Sequence, residues 1–458
     1  MANTKKELST ALKYVFGVGD AGFVLMSNVE TFYFMSCMTN TLGFTPAAAG
    51  VINSIFSIVD ACLSWMYGAI INGTKAGKHG RTRSWLVGLP WIVPFIFAFQ
   101  FIRVSDNETF AGVIIVIAAI VSHVIWNFPY VANSALVSVV GKTPDDKATL
   151  ASSRATWNNI GGLIWSYAGL PFATFLAGIV GQKYQWAAAA FVLGLVMAVT
   201  YTAHFKMTDG YEDLEDTAPK AAAQNKMSFG EMLKALFTNP QLIFLIIADL
   251  AKWCVKFVVA ASAIYYFRDA AGNQGLMVPY QLATALGAMV GAFVCRYLVQ
   301  KLSARTSAIV AYVGMTVFLF LIYLSYANAT MVIVFMTLAQ FCYGMALAIA
   351  PALYADVVTF TTAKTGKNAA GWIMGLQNIP LKAAVFLRGV IVAAALTACG
   401  WKADVVYAGT PQAQSLTIPF ALVPAIFCAV GLLILIFCYK LTKEKVAEAQ
   451  AKIDAMNA

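Results

Sequence analysis

Apolar residues in this chain do not alternate with polar ones; they run on. Stretches of eighteen or more recur, each parted from the next by a short polar or basic segment. A hydrocarbon core about 30 Å thick takes about 20 residues of helix to cross. Continuous runs without a two-residue period predict helices rather than the strands of a membrane barrel. Twelve spans are expected, over residues 14–40, 46–71, 84–104, 110–140, 150–179, 184–205, 240–267, 276–300, 306–325, 329–358, 370–398 and 415–440.

The polar segments set the topology. Basic residues gather in alternate loops: Lys75, Lys78, Arg81 and Arg83; Lys142 and Lys147; Lys206, Lys220, Lys226 and Lys234; Lys301 and Arg305; Lys364 and Lys367; then Lys440, Lys443, Lys445 and Lys452. The other face has only Arg103, Lys183, Arg268 and Lys402. The positive-inside rule then puts both termini in the cytoplasm, with the protein in the inner (plasma) membrane. Residues 206–239 form a polar connection containing Asp209, Glu212, Asp213, Glu215 and Asp216. It reads as a flexible cytoplasmic linker, with Met227 to Leu236 as a short interfacial helix. It divides the chain into a six-helix bundle over 1–205, a second over 240–440 and a cytoplasmic tail over 441–458. The fold class is therefore all-α integral membrane, and two six-helix halves are the organisation of a major facilitator transporter.

Composition agrees. The chain of 458 residues is 60% hydrophobic and 11% charged, against about 25% charged in soluble domains. Its net charge of +10 follows from the loop asymmetry and calls for no nucleic acid. The eight cysteines are scattered without a CxxC pair and read as small core residues. His79, His123 and His204 share no metal-ligand spacing, so neither a metal nor a cofactor is expected. The N-terminus does not open like a cleavable signal peptide. No nucleophile–base pair or phosphate loop argues for an enzyme, and no signalling domain argues for a receptor.

Several charges remain at membrane depth, where a lone one costs at least ~2.5–3.5 kcal/mol and needs a partner or a task. The acids are Asp20, Glu30, Asp60, Asp249 and Asp356; the bases are Arg154, Lys252, Lys256, Lys382 and Arg388. Asp60 is the single charge in its run, with the Ser64 hydroxyl one turn on. Together they form a half-site for a proton or small cation, or else Asp60 pairs with a neighbouring base. Asp249, Lys252 and Lys256 share one face of the seventh span. Asp249 can pair with Lys252, which leaves Lys256 as a cation suited to an anionic substrate. Gln377, Asn378 and Lys382 surround Pro380, and Trp126, Asn127 and Tyr130 surround Pro129. Broken helices with amides and aromatic faces suit a sugar-lined cavity, or alternatively a kinked packing helix. Arg154 and Asp356 read as gating or structural charges, with Asp249, Lys252 and Arg388.

These residues resemble a pattern. The chain is similar over nearly its whole length to the glycoside–pentoside–hexuronide:cation symporters, which include melibiose and glucuronide permeases. The likeness rests on Tyr14-Val15-Phe16-Gly17-Val18-Gly19-Asp20, Asp60-Ala61, Gly80-Arg81-Thr82-Arg83-Ser84-Trp85, Asn127-Phe128-Pro129-Tyr130, Ser153-Arg154, Ile264-Tyr265-Tyr266-Phe267, Ala355-Asp356-Val357-Val358 and Lys382. The resemblance implies alternating access about a substrate site near the bilayer midplane, between the halves. It also implies a cation site on two acids of the second span, of which this chain keeps Asp60 and replaces the other by Ser64. Lys382 matches a lysine beside that site. The acids that grip neutral sugars fall here on Val24, one turn after Asp20, and on Asn127 of the fourth span.

The expectation is a secondary transporter for a sugar-like solute, anionic rather than neutral (a hexuronide, sugar acid or sulfonated sugar). It would be coupled to a cation, H+ rather than Na+, through Asp60, Ser64 and Lys382. Asp20, Trp126, Asn127, Tyr130, Lys256, Gln377, Asn378 and Lys382 would contact the solute. Alternatives are a neutral glycoside symporter, an uncoupled facilitator, or a lipid transporter of the same fold. The expected partners are the solute, the cation and membrane lipid, and the chain is expected to act as a monomer.

Overall fold

A computed structural model of the chain describes residues 8–75, 77–141, 143–212, 239–366, 373, 376–403 and 405–457. The chain divides into two compact units, Met1–Ala218 with Lys402–Asp404, and Pro219–Trp401 with Val405–Ala458. Most of the central connection, including the helix expected at Met227 to Leu236, lies outside the described residues, as do Lys220, Lys226, Lys234 and Lys367.

The first unit holds α1 (Thr10–Val15), α2 (Val18–Ser36), α3 (Pro46–Gly73), α4 (Leu89–Phe99), α5 (Glu108–Val140), α6 (Pro144–Val180) and α7 (Gln185–Met207). The loops supply the caps. Thr45, Asn107 and Thr143 each accept a backbone N–H of the helix they precede, and Pro46 and Pro144 stand in first turns that have no use for the N–H they lack. Close helix approach depends on glycine. A Cβ at Gly17 would lie 2.6 Å from the Arg154 Cα, and one at Gly161 would lie 2.8 Å from the Ala21 carbonyl oxygen. Both contacts bring α2 against α6, as small residues allow between membrane helices.

A carboxylate ties down the basic loop between α3 and α4. Glu212 accepts the backbone N–H groups of Thr82 at 2.7 Å and Arg83 at 2.9 Å. Arg83 meets Asp209 at 2.8 Å, donates to the Phe205 carbonyl at 2.8 Å and lies over the Phe205 ring. The chain leaving α7 is thus clamped to a loop that lies three helices earlier in the sequence.

The second unit holds α8 (Pro240–Tyr265), α9 (Met277–Lys301), α10 (Ala304–Leu324), α11 (Ala329–Thr365), α12 (Asn378–Ala398), α13 (Pro411–Thr417), α14 (Val423–Leu433) and α15 (Lys443–Asn457). α9 and α11 pack without intervening side chains: a Cβ at Gly291 would overlap the Phe341 carbonyl, and one at Gly344 the Ala288 carbonyl. The segment read as a tail carries α15, which packs on α11 and buries Ala449.

Nine segments among the described residues are long and apolar enough to cross a membrane. The other three expected spans are helical too, so a count of twelve is compatible with the fold. α2 carries Asp20 and Glu30, α8 carries three charges, and α4 covers only eleven residues. The third span is thus shorter than expected, with a separate turn at Arg83–Leu86 before it and Pro90 and Pro94 within it. Two expected proline breaks also differ. α5 runs unbroken through Pro129, and Pro380 lies in the first turn of α12, where its missing N–H breaks no ladder. Large apolar side chains such as Phe95, Phe175, Phe293 and Phe437 stand exposed on the helices, the face that hydrocarbon covers.

Candidate functional site

The inward side of α3 is a stripe at helical spacing: Asn53, Phe56, Ser57, Asp60, Tyr67 and Ile71 are all buried. α5 packs on α3 and presents His123 and Asn127, one turn apart on one face. Asn127 Nδ2 donates to Asp60 Oδ1 at 2.8 Å and to the His123 carbonyl at 2.8 Å. His123 Nε2 lies 2.9 Å from Glu30 Oε2 of α2, and its Nδ1 lies 3.7 Å from Asp60 Oδ2. The three ionisable side chains are at most 10% exposed. They form one buried row, Glu30–His123–Asp60–Asn127, with one imidazole between two carboxylates.

Aromatic rings close over the row. Phe56 and Trp126 lie 5.1 and 5.0 Å from the imidazole, and Phe23 contacts both Trp126 and Tyr130, at 5.0 and 4.4 Å. Trp126 Nε1 is buried with no hydrogen-bond partner among the described residues.

Other residues singled out from the sequence sit elsewhere. Ser64 Oγ donates at 2.8 Å to the Ala61 carbonyl of its own helix. Asp20 is buried against Arg154, whose Nε and terminal nitrogen reach its two oxygens at 2.8 and 2.6 Å, and Asn133 adds a third bond at 3.1 Å. In the second unit Lys252 meets Asp249 at 2.5 Å, and Trp253 Nε1 donates to the same carboxylate at 3.1 Å. Lys256, one turn on and half-buried, has no acidic partner among the described residues. Lys382 and Gln377 are half-buried, Asn378 is exposed and Arg388 is buried. Asp356 lines a small cavity with Arg305 and Lys443. Asp60 and Asn127 therefore meet in the first unit, while Lys256 and Lys382 belong to the second.

Glu30 and His123 are the residues that sequence reasoning left out of the site. The available signal was an imidazole four residues before an amide in an apolar run. A second acid stood in another run, with no base near it in sequence.

Residues 15–443 match the family described as MFS/sugar transport protein. The chain belongs to that family. This transporter is therefore a multi-pass integral membrane protein of the major facilitator fold and not an enzyme, and the resemblance drawn from its motifs holds. It is 23% identical over 454 residues to the uncharacterized symporter YnaJ of Bacillus subtilis (strain 168), covering 97% of this chain and 95% of that one. A protein of Escherichia coli (strain K12), provisionally named a sulfoquinovose importer, is 24% identical over 403 residues, covering 86% and 83%. The isoprimeverose transporter of Lactiplantibacillus pentosus is 20% identical over 444 residues, covering 94% and 88%. Among solved structures, the nucleoside transporter NupG superposes with a TM-score of 0.61 at 14% identity, over 93% of this transporter and 99% of that chain. A bacterial homologue of the human lysosomal transporter Spinster superposes with a TM-score of 0.59 at 12% identity, over 98% and 99%. At such identities the structures speak for the fold alone. Symporters and sugar transporters are among these relatives.

Proposed function

We propose that this transporter moves an anionic sugar-like solute together with a proton across the plasma membrane, with both termini in the cytoplasm. The solute class is a hexuronide, a sugar acid or a sulfonated sugar. The observation that carries the reading is Lys256. Its neighbour Lys252 has its own carboxylate, whereas Lys256 has none among the described residues. An ammonium at membrane depth without a counter-ion favours an anion that binds and leaves. A relative provisionally named for sulfoquinovose, a sulfonated sugar, supports the same class.

The proton half rests on Asp60. With Ser64 bonded to its own helix, one second-span carboxylate remains for the ion, too little negative charge to repay the dehydration of sodium. Lys382 joins this coupling group by the family pattern, and Asp20 and Arg154 act as a structural pair rather than as solute ligands. A neutral glycoside is the second reading. The rings of Phe23, Trp126 and Tyr130 favour it, because an aromatic face stacks on an uncharged sugar as readily as on a charged one.

Uptake into proteoliposomes tests both halves, with a glucuronide and a neutral glycoside as solutes and imposed proton or sodium gradients. Lys256→Gln is expected to lower glucuronide uptake at least tenfold and to spare the neutral glycoside. Equal loss for both solutes makes the lysine structural and overturns the anionic reading. Asp60→Asn is expected to abolish the response to a proton gradient.

A further inference from the structure

We propose that the coupling proton sits between His123 and Asp60, with Glu30 as the fixed counter-ion that holds the imidazole; this rests on the proton-coupled reading above. A carboxylate only accepts hydrogen bonds, so the 2.9 Å contact between His123 Nε2 and Glu30 places a hydrogen on Nε2. In a neutral imidazole the other nitrogen is then a lone pair. Nδ1 is buried, has no hydrogen-bond partner among the described residues and faces Asp60 Oδ2 at 3.7 Å. Two acceptors thus confront each other in a buried site. One proton turns the confrontation into a donor–acceptor pair, and a movement of about 1 Å closes it to charge-assisted hydrogen-bond length. The same proton lowers the charge of the row from two negative to one. It enters from the water on one side with the solute and leaves to the other, and no further bond changes.

The chemistry of the slot selects against a metal cation. Hard cations collect several oxygen ligands, and here one wall is a nitrogen. Asn127 directs its amide N–H groups, not its carbonyl oxygen, at Asp60, and the second bond to the His123 carbonyl fixes that orientation. A sodium ion at Asp60 Oδ1 would face those hydrogens. An imidazole, whose ordinary titration lies near neutral pH, is suited to loading and unloading a proton.

No other charge among the described residues competes for the imidazole. From α2 it meets Glu30, and from α3 Asp60 with the Tyr67 hydroxyl near that carboxylate. Its own helix presents Asn127 and the Trp126 ring, and α4 carries no titratable side chain. Arg154 of α6 is engaged by Asp20, and Arg83, in the turn that also packs on α5, by Asp209.

The test measures, in proteoliposomes, glucuronide uptake driven by a proton gradient and solute exchange at equal pH. In His123→Gln the ratio of driven uptake to exchange is expected to fall at least tenfold. An unchanged ratio, with wild type responding to the gradient, overturns this inference and leaves the proton reading standing. Wild type that ignores the gradient overturns the proton reading itself. Where His123→Gln does not reach the membrane, Glu30→Gln decides. Removing the counter-ion disfavours the imidazolium, so the pH profile of driven uptake should move toward acid by about one unit or more. An unmoved profile overturns the inference.

Discussion

Arg154 grips Asp20 at both carboxylate oxygens, Nε to Oδ2 at 2.8 Å and a terminal nitrogen to Oδ1 at 2.6 Å, across 134 residues of sequence. Asp20 is buried, Arg154 is half-buried, the contact is bidentate, and Asn133 fills a further lone pair of the acid. Breaking such a pair from one side leaves an uncompensated charge. Asp20→Asn should cost about 3–5 kcal/mol, and Asp20→Asn with Arg154→Gln should recover part of it. Thermal unfolding of the detergent-solubilised protein measures both. A double variant no more stable than the single one would show that the charge balance is not what matters.

The two lysines of α8 should behave in opposite ways. Lys252→Met strands Asp249 and should cost about 3–5 kcal/mol. Lys256→Met strands no carboxylate and replaces an ammonium by an apolar chain of similar length, so stability should hold or rise while uptake of an anionic solute falls. Melting curves beside glucuronide uptake separate the two. Equal destabilisation by both substitutions contradicts the assignment.

Asn127 lies where a second acid would complete an oxygen site. Asn127→Asp places a carboxylate oxygen about where Nδ2 now meets Asp60 at 2.8 Å. Sodium should then raise the melting temperature of the variant, by mass action on the folded state, and leave wild type unmoved. A sodium titration followed by thermal shift reads this directly, and a flat titration for the variant refutes it.

α9 and α11 touch backbone to backbone. Gly344→Ala drives a methyl group into the Ala288 carbonyl and should destabilise by about 1–3 kcal/mol or more, as overpacking does. Gly68→Ala, where a Cβ meets nothing within 4 Å, is the control and should be neutral or slightly stabilising in thermal unfolding.

The spans were legible in the sequence because a helix that crosses a bilayer satisfies its own backbone and is largely apolar, which leaves long runs. Local pairs were legible too: Asp249 and Lys252 are three residues apart, and helix geometry alone brings them together. What escaped was long-range. Glu30 and His123 are separated by 93 residues and Asp60 and Asn127 by 67, so their meeting depends on which faces α2, α3 and α5 turn to one another. Periodicity marks the buried stripe of α3 but not its partner. Asp20 shows the limit in the other direction. Position and motif presented an acid at membrane depth, and only tertiary packing supplied the arginine that occupies it. The short α4 was hidden because Pro90 and Pro94 sit in an otherwise apolar run that reads as a full span.

The clamp of Glu212 on Thr82 and Arg83 also orders events during synthesis. Its two halves are 130 residues apart, roughly 6–26 s of translation at about 5–20 residues per second. Through that interval the loop after α3 has emerged without the carboxylate that fixes its backbone. That carboxylate arrives only when the chain beyond α7 has left the ribosome. The bond therefore records that the first unit has been completed, before the second has been made.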